Sequence, residues 1–224
     1  MSPRPYQLGK RQDQIDESRR RVIDAARALL GETGSYSGFT VDAVAKKADV
    51  AKATVYYQFE SKTGLLEAVC DALADAGGMS KLAAAFRNPD PVAALRVFVE
   101  TFGGFWDVDR AAMRRLRALA ALDPEVGAVI SARDERRRAG LGALVGRLLE
   151  EGDKAGGTGP EDLIRVLHVL TSFETFDALA KPDEPLSHVV DDVVALAEGL
   201  LVEPWVRSPT GARPAGRQQG SPRP

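Results

Sequence analysis

Residues 39–62 read FTVDAVAKKADVAKATVYYQFESK, and this stretch decides the fold. Val41, Val44, Ala45 and Ala48 recur at helical spacing and mark the inner face of a short helix. Thr40 stands where an N-cap belongs. At Asp49 the chain must turn, and aspartate tolerates the left-handed conformation better than most residues. Val50, apolar inside the turn, is placed to plug the space between two helices. A second helix from about Lys52 to Gln58 is too short to persist alone, so packing of Val55, Tyr56 and Phe59 must hold it. Ser61-Lys62 opens a further helix with Leu65, Leu66, Val69 and Leu73 on one side. This layout is a helix-turn-helix, whose second helix is built to enter the major groove of DNA.

Working outward, residues 1–14 carry Pro3, Pro5 and Gly9 among polar groups and read as a flexible arm. From Ile15 the pattern is helical, with Val22, Ala26, Leu29 and Leu30 on one face, until Gly31 and Gly34. A Gly/Ser loop over residues 34–38 follows. Beyond Gly77-Gly78 the character changes. Asp90-Pro91, Asp123-Pro124 and Gly159-Pro160 each put proline at a first helical position, twice behind an aspartate cap. They delimit helices at about 91–106, 109–122, 124–152 and 160–180, and a last runs about 186–202. No hairpin signal interrupts them, so the fold class is all-α. The division is an arm (1–14), a helix-turn-helix domain (15–76), a helical regulatory and dimerisation domain (77–202) and a disordered tail (203–224).

Composition excludes several classes. At 224 residues, 44% hydrophobic and 28% charged, the chain can bury a core without staples. Cys70 is the single cysteine, so no internal disulfide forms. No apolar run is long enough to span a bilayer and no signal peptide is evident, which leaves the cytoplasm as the expected location. The net charge is −2, but residues 1–62 hold 11 Lys+Arg against 8 Asp+Glu, a local +3 against −5 for the remainder. That excess favours a nucleic-acid partner only slightly. No HExxH, Walker A, GxSxG or GxGxxG pattern is present, and Gly156-Gly157-Thr158-Gly159-Pro160 is only a glycine-rich loop before a helix. The reading is therefore not an enzyme. His168 and His188 lack clustered ligands, so neither a metal nor a cofactor is expected. Arg136-Arg137-Arg138 beside Asp134-Glu135 reads as a solvated, salt-bridged helix face, and Cys70 as a core filler.

Together Phe39-Thr40-Val41-Asp42-Ala43-Val44-Ala45, Ala48-Asp49-Val50-Ala51-Lys52-Ala53-Thr54-Val55-Tyr56-Tyr57-Gln58-Phe59 and Ser61-Lys62 with Leu65-Leu66 resemble the DNA-binding domain of the TetR family of transcriptional regulators. The resemblance covers roughly residues 15–75. The chain departs from the family pattern at Asp49 (often glycine or asparagine), Ala51 (often a capping serine), Ala53 (often glycine), Tyr57 (often histidine) and Gln58 (often tyrosine). These departures bear on the operator sequence more than on the fold.

The resemblance implies a dimeric, ligand-responsive repressor on a palindromic DNA operator. It assigns the DNA-facing set to Thr40, Lys52, Ala53, Thr54, Tyr56, Tyr57, Gln58 and Lys62, with Tyr57 and Gln58 projecting outward and Lys62 on a phosphate. For Tyr56, core and contact roles stay equally open. Arg19, Arg20 and Arg21 could touch the DNA backbone, although a charge run is more often a solvated face. The aromatic set Phe98, Phe102, Phe105, Trp106, Met113, Phe173 and Phe176 is either packed core or, as the resemblance favours, the lining of a cavity for a small apolar or aromatic effector. Gly103-Gly104 could mark a close approach by ligand or backbone. The helices near 160–180 and 186–202 carry apolar stripes (Leu163, Leu167, Leu170; Val189, Val193, Leu196, Leu200), and the resemblance makes these helices the homodimer interface. A regulator switched by a protein partner, or unswitched, remains the alternative, and an all-helical enzyme the more distant one.

Overall fold

The computed structural model describes residues 4–32, 39–150 and 159–202. The Gly/Ser loop over 34–38, most of the glycine-rich loop before Pro160 and the tail from Glu203 lie outside the described residues. Among the described residues the elements are eleven α-helices and two 3-10 turns, with no strand. Helices α1 (Arg4–Gly31), α2 (Val41–Lys47), α3 (Lys52–Phe59) and α4 (Lys62–Ala76) make the head. The body follows as α5 (Leu82–Arg87), α6 (Pro91–Asp107), α7 (Arg110–Leu122), α8 (Pro124–Glu150), α9 (Pro160–Leu170), α10 (Phe173–Leu179) and α11 (Val190–Val202).

Three boundaries differ from expectation. The first helix begins at Arg4, not Ile15, so residues 4–14, read as part of an arm, belong to α1. Pro5 falls in its first turn, where no intrahelical N–H is lost, and strong helix formers follow without an apolar stripe to betray them. The helix expected over 160–180 breaks at Thr171-Ser172, because Ser172 Oγ accepts from the Thr175 N–H at 3.3 Å and starts α10 as an N-cap. The segment Met79–Arg87, assigned no helix from sequence, forms a 3-10 turn and α5. It is too short to display a period.

The capping signals behave as read. Thr40 Oγ1 accepts from the Ala43 N–H at 3.1 Å, Ser61 Oγ from Gly64 at 2.9 Å and Asp90 Oδ1 from Val92 at 2.8 Å. Asp49 sits at φ 53°, in the left-handed region, and turns the chain so that the Val50 N–H reaches the Ala45 carbonyl at 3.0 Å. Val50 is half-buried against the core formed by Val22, Val44, Val55, Phe59 and Leu65.

Head and body share one continuous core. Arg27 of α1 pairs with Asp109 at 2.7 Å, where α7 begins. Gly77, at the end of α4, lies so close to α6 that an added Cβ would stand 2.7 Å from Phe105 Cα. Further out, Arg110 pairs with Asp177 at 2.5 Å and donates to the Lys181 and Glu184 carbonyls at 2.7 and 2.9 Å, which fixes the turn after α10.

Candidate DNA-reading face and body cavity

Helix α3 presents one face to solvent and the other to α1. Tyr57 is 81% exposed and Tyr56 43%, so Tyr56 is not a core residue. Thr40, Lys52 and Ala53 are exposed beside them and Thr54 is half-buried. No side chain caps the helix at Ala51, and its first turn is left open. Lys52 Nζ reaches Asp42 at 2.9 Å on α2, a pairing that raises the lysine pKa through the hydrogen bond and the carboxylate charge. Both partners are exposed, so the pair is screened and readily exchanged.

Two residues expected to face outward or to be free do not do so. Gln58 turns back onto α1, with Nε2 donating to Ser18 Oγ at 3.1 Å and Oε1 buried. The position falls on the side of the short helix that α1 covers. Lys62 is engaged by Asp123, at 2.5 Å, where the body's α8 is capped. Lysine's hydrogen bond, above all, holds the Asp123 carboxyl below its usual range. Arg19, read as a surface charge, donates to the Gln58 carbonyl at 2.7 Å and lies 4.3 Å over the Phe59 ring. It thereby satisfies an end carbonyl of α3 and places a cation at the negative end of that helix. Gly64 is a fold-critical residue that sequence reasoning missed: an added Cβ would stand 2.2 Å from the Phe59 carbonyl oxygen. A lone glycine in the first turn of a helix was the available signal.

In the body a cavity of about 360 Å³ opens between α4, α5, α6, α7 and α8. Five of the seven candidate lining residues belong to it: Phe98, Phe102, Phe105 and Trp106 on α6, and Met113 on α7. Their rings pack in series, Phe98 to Phe102 at 4.8 Å and Phe105 to Trp106 at 4.5 Å. Phe173 and Phe176 are not in the wall. Phe173 stacks edge-on to Trp106 at 5.8 Å, and Phe176 is buried against Gly103. Both lie on α10, the helix that Ser172 redirects. The close approach at Gly103 is therefore to Val190 and Phe176, while Gly104 faces open space.

The cavity also holds polar residues that sequence reasoning did not place there. Cys70 and Asp71 come from α4, Arg117 from α7, and Arg133, Asp134 and Arg137 from α8. Arg137, taken from sequence as part of a solvated run, is 4% exposed. It donates to Thr171 Oγ1 at 2.9 Å and to the His168 carbonyl at 2.5 Å, and pairs with Asp134 at 3.3 Å. The signal was available, because 130, 133, 137, 141 and 144 are inner-face spacings on α8. Burial opposes the charge of Asp134, but the hydrogen bond and charge of Arg117 at 2.5 Å, aided by Arg137, outweigh it and lower its pKa. Burial and the Arg137 charge lower that of His168. Burial pushes the Cys70 thiol up to about 11, in keeping with a core filler.

Leu163 and Leu167 on α9, Val189 in the 3-10 turn before α11 and Val193 on α11 are buried within the subunit. The outward apolar residues are Val169, 58% exposed, and Leu196, 50% exposed. The stripes read from sequence are thus mainly internal, except for Leu196, which faces outward, while Val169 lies outside the stripe of α9. Among the described residues no group of three metal-ligating side chains converges, and no helix is long and apolar enough to cross a membrane.

Comparison with known proteins agrees with this architecture. The family model for bacterial regulatory proteins of the tetR family matches residues 22–69. The HTH-type transcriptional regulator EthR of Mycolicibacterium smegmatis is 28% identical over 208 residues, 90% of each chain. The biofilm operon icaADBC negative transcriptional regulator IcaR of Staphylococcus aureus is 43% identical over 47 residues, 21% of this chain and 25% of that one. A TetR transcription regulator from Haloarcula marismortui shares the fold with a TM-score of 0.62 at 18% identity, covering 83% of this chain and 97% of the other. With the helix-turn-helix, the all-helical body and the end-to-end similarity to EthR in agreement, residues 22–69 carry the DNA-binding domain of the tetR family of regulatory proteins, and the chain shares the fold of TetR transcription regulators.

Proposed function

We propose that the protein is a homodimeric repressor, acting in the cytoplasm, that reads a palindromic operator through α3 and releases it when a small apolar molecule occupies the body cavity. The observation that carries this reading is the double membership of α4. Its first residue, Lys62, adjoins the recognition helix, while Cys70, Asp71 and Ala74 form part of the cavity wall. A ligand that favours one setting of α4 over another must shift the head by its differential affinity, commonly about 1–3 kcal/mol.

Tyr56, Tyr57, Thr40 and Thr54 are the candidates to meet base edges and phosphates, and the open first turn of α3 suits a phosphate oxygen. Lys52 and Lys62 would exchange Asp42 and Asp123 for phosphate on binding. Gln58 is reassigned from reader to a support that holds α3 against α1. The negative regulator IcaR supports repression as the mode, and the outer faces of α9 and α11 support a dimer that sets two α3 helices against two half-sites.

The test is a titration of Tyr57→Ala by fluorescence anisotropy against the duplex that the full chain selects from a random pool. Loss of at least tenfold in specific affinity, with nonspecific affinity retained, is the expected result. Unchanged specific affinity would remove α3 as the reader.

A further inference from the structure

We propose that the effector is a carboxylate with an apolar body. Its charged group lies on Arg133 and Arg137, and its body among Phe98, Phe102, Phe105 and Trp106. This rests on the reading of the cavity as the effector site.

Two buried donors carry the argument. Arg133 and Arg137 are four residues apart on α8, so their side chains leave the same face and both line the cavity. Arg137 has a side chain only 3% exposed, and its Nη atoms are engaged by Thr171, His168 and Asp134. Its Nε is buried and meets no acceptor. Arg133 spends Nη2 on Asp71 at 2.7 Å and on the Glu67 carbonyl at 3.1 Å, and its Nε is likewise buried without an acceptor. A buried N–H without a partner is costly, and charge makes it more so. Arginine can only donate, so the matching group must accept.

The charge balance of the wall points the same way. Arg117, Arg133, Arg136 and Arg137 stand against Asp71 and Asp134, which leaves two positive charges in excess. Asp134 is already shared between Arg117 and Arg137, at 2.5 and 3.3 Å. A carboxylate supplies two acceptor oxygens and one negative charge, whereas an alcohol leaves the charge excess in place and an ammonium adds to it. A site of about 150 Å³ holds benzene, or about 25 Å³ per heavy atom, so this cavity suits roughly 14 heavy atoms. An apolar chain or a pair of rings fits the aromatic wall. Arg133 is also the tie between α8 and Asp71 of α4. An incoming carboxylate competes with Asp71 for that guanidinium, which loosens α4 and gives the ligand unequal affinity for the two head positions.

The experiment is calorimetric titration of the full chain with dodecanoate (below its micellar range) and biphenyl-4-carboxylate, each against its neutral counterpart, dodecan-1-ol and biphenyl-4-carboxamide. Each acid is expected to bind at least tenfold tighter than its counterpart. Arg133→Met should cut that preference below threefold with the circular dichroism spectrum unchanged. If that variant does not fold, Arg137→Lys, which keeps the charge and loses the fork, should weaken the acids and leave the neutral compounds within twofold. Equal binding of acid and neutral compound, or a preference that survives both variants, overturns the proposal. Failure of all four compounds to bind overturns it too. A neutral compound that binds and releases DNA would leave the effector reading intact while removing the anion. Binding of none, with operator binding intact, would remove the cavity as effector site and leave the DNA reading untouched.

Discussion

Gly64→Ala is the sharpest perturbation the head offers. The new methyl would lie 2.2 Å from the Phe59 carbonyl oxygen, over 1 Å inside an ordinary carbon–oxygen contact of about 3.3 Å. The obstructing atom is main chain, so no rotamer change clears it and the end of α3 must move instead. Overpacking of this kind costs about 1–3 kcal/mol, here at the upper end. Alanine's better helix propensity returns about 1 kcal/mol, leaving a net loss of about 2 kcal/mol. For a chain of this size that lowers Tm by about 4–8 °C. Because the displaced element is the helix proposed to read DNA, specific DNA affinity should fall more than stability alone explains. The assays are a thermal melt and operator titration below the melting range. Gly146→Ala is the control, since its added methyl meets nothing within 4 Å and should stabilise slightly. A Gly64→Ala protein as stable as that control, with operator affinity within threefold of the unaltered chain, would refute the reasoning.

Acid should destabilise the body in two stages. His168 is held below its ordinary 6.5, so its contribution is full above that pH and is lost as pH falls through the lower folded value. Asp123, Asp134 and Asp177 are held below 3.8, so theirs is present above about pH 4 and is lost beneath it. A series of melts from pH 8 to 3 should show both steps, and His168→Gln should abolish the first. With its thiol pushed up to about 11 by burial, Cys70 should react with a disulfide reagent at pH 8 more slowly, by about tenfold or more, folded than unfolded, and an occupant of the cavity should slow it further. Equal rates would contradict its burial. Leu196→Glu should convert a dimer to a monomer in sedimentation with Tm changed little at low concentration, since the side chain is 50% exposed in the subunit. A stable dimer would displace the interface to another face.

The head was legible because its determinants are local. Caps at Thr40 and Ser61, a left-handed turn at Asp49 and apolar spacing through Val44, Val55 and Phe59 each act within a few residues of where they are read. Phe98, Phe102, Phe105 and Trp106 follow a single helical period, which puts them on one side of α6, but that period fits a packed core as well as a cavity wall, and only the family resemblance favoured the cavity. What escaped depends on partners far along the chain. Gln58 faces inward because Ser18 and Arg19 stand opposite it, Lys62 is occupied because Asp123 arrives from the body, and Phe173 leaves the wall because Ser172 restarts the helix. Arg137 was hidden by its neighbours. A run of charges suggests solvent, and only the helical phase from Ile130 to Leu141 distinguishes the one arginine that turns inward.

The account's central claim is that two copies of α3, related by a two-fold axis, read DNA. Selection of bound duplexes from a random pool by the full chain, followed by titration of the best sequence at increasing salt, tests it most directly. The account predicts an inverted repeat with half-sites about one helical turn or a multiple apart, and an affinity that falls steeply with salt as phosphate contacts are screened. Enrichment of no sequence, or of one without two-fold symmetry bound equally well at low and high salt, would contradict it.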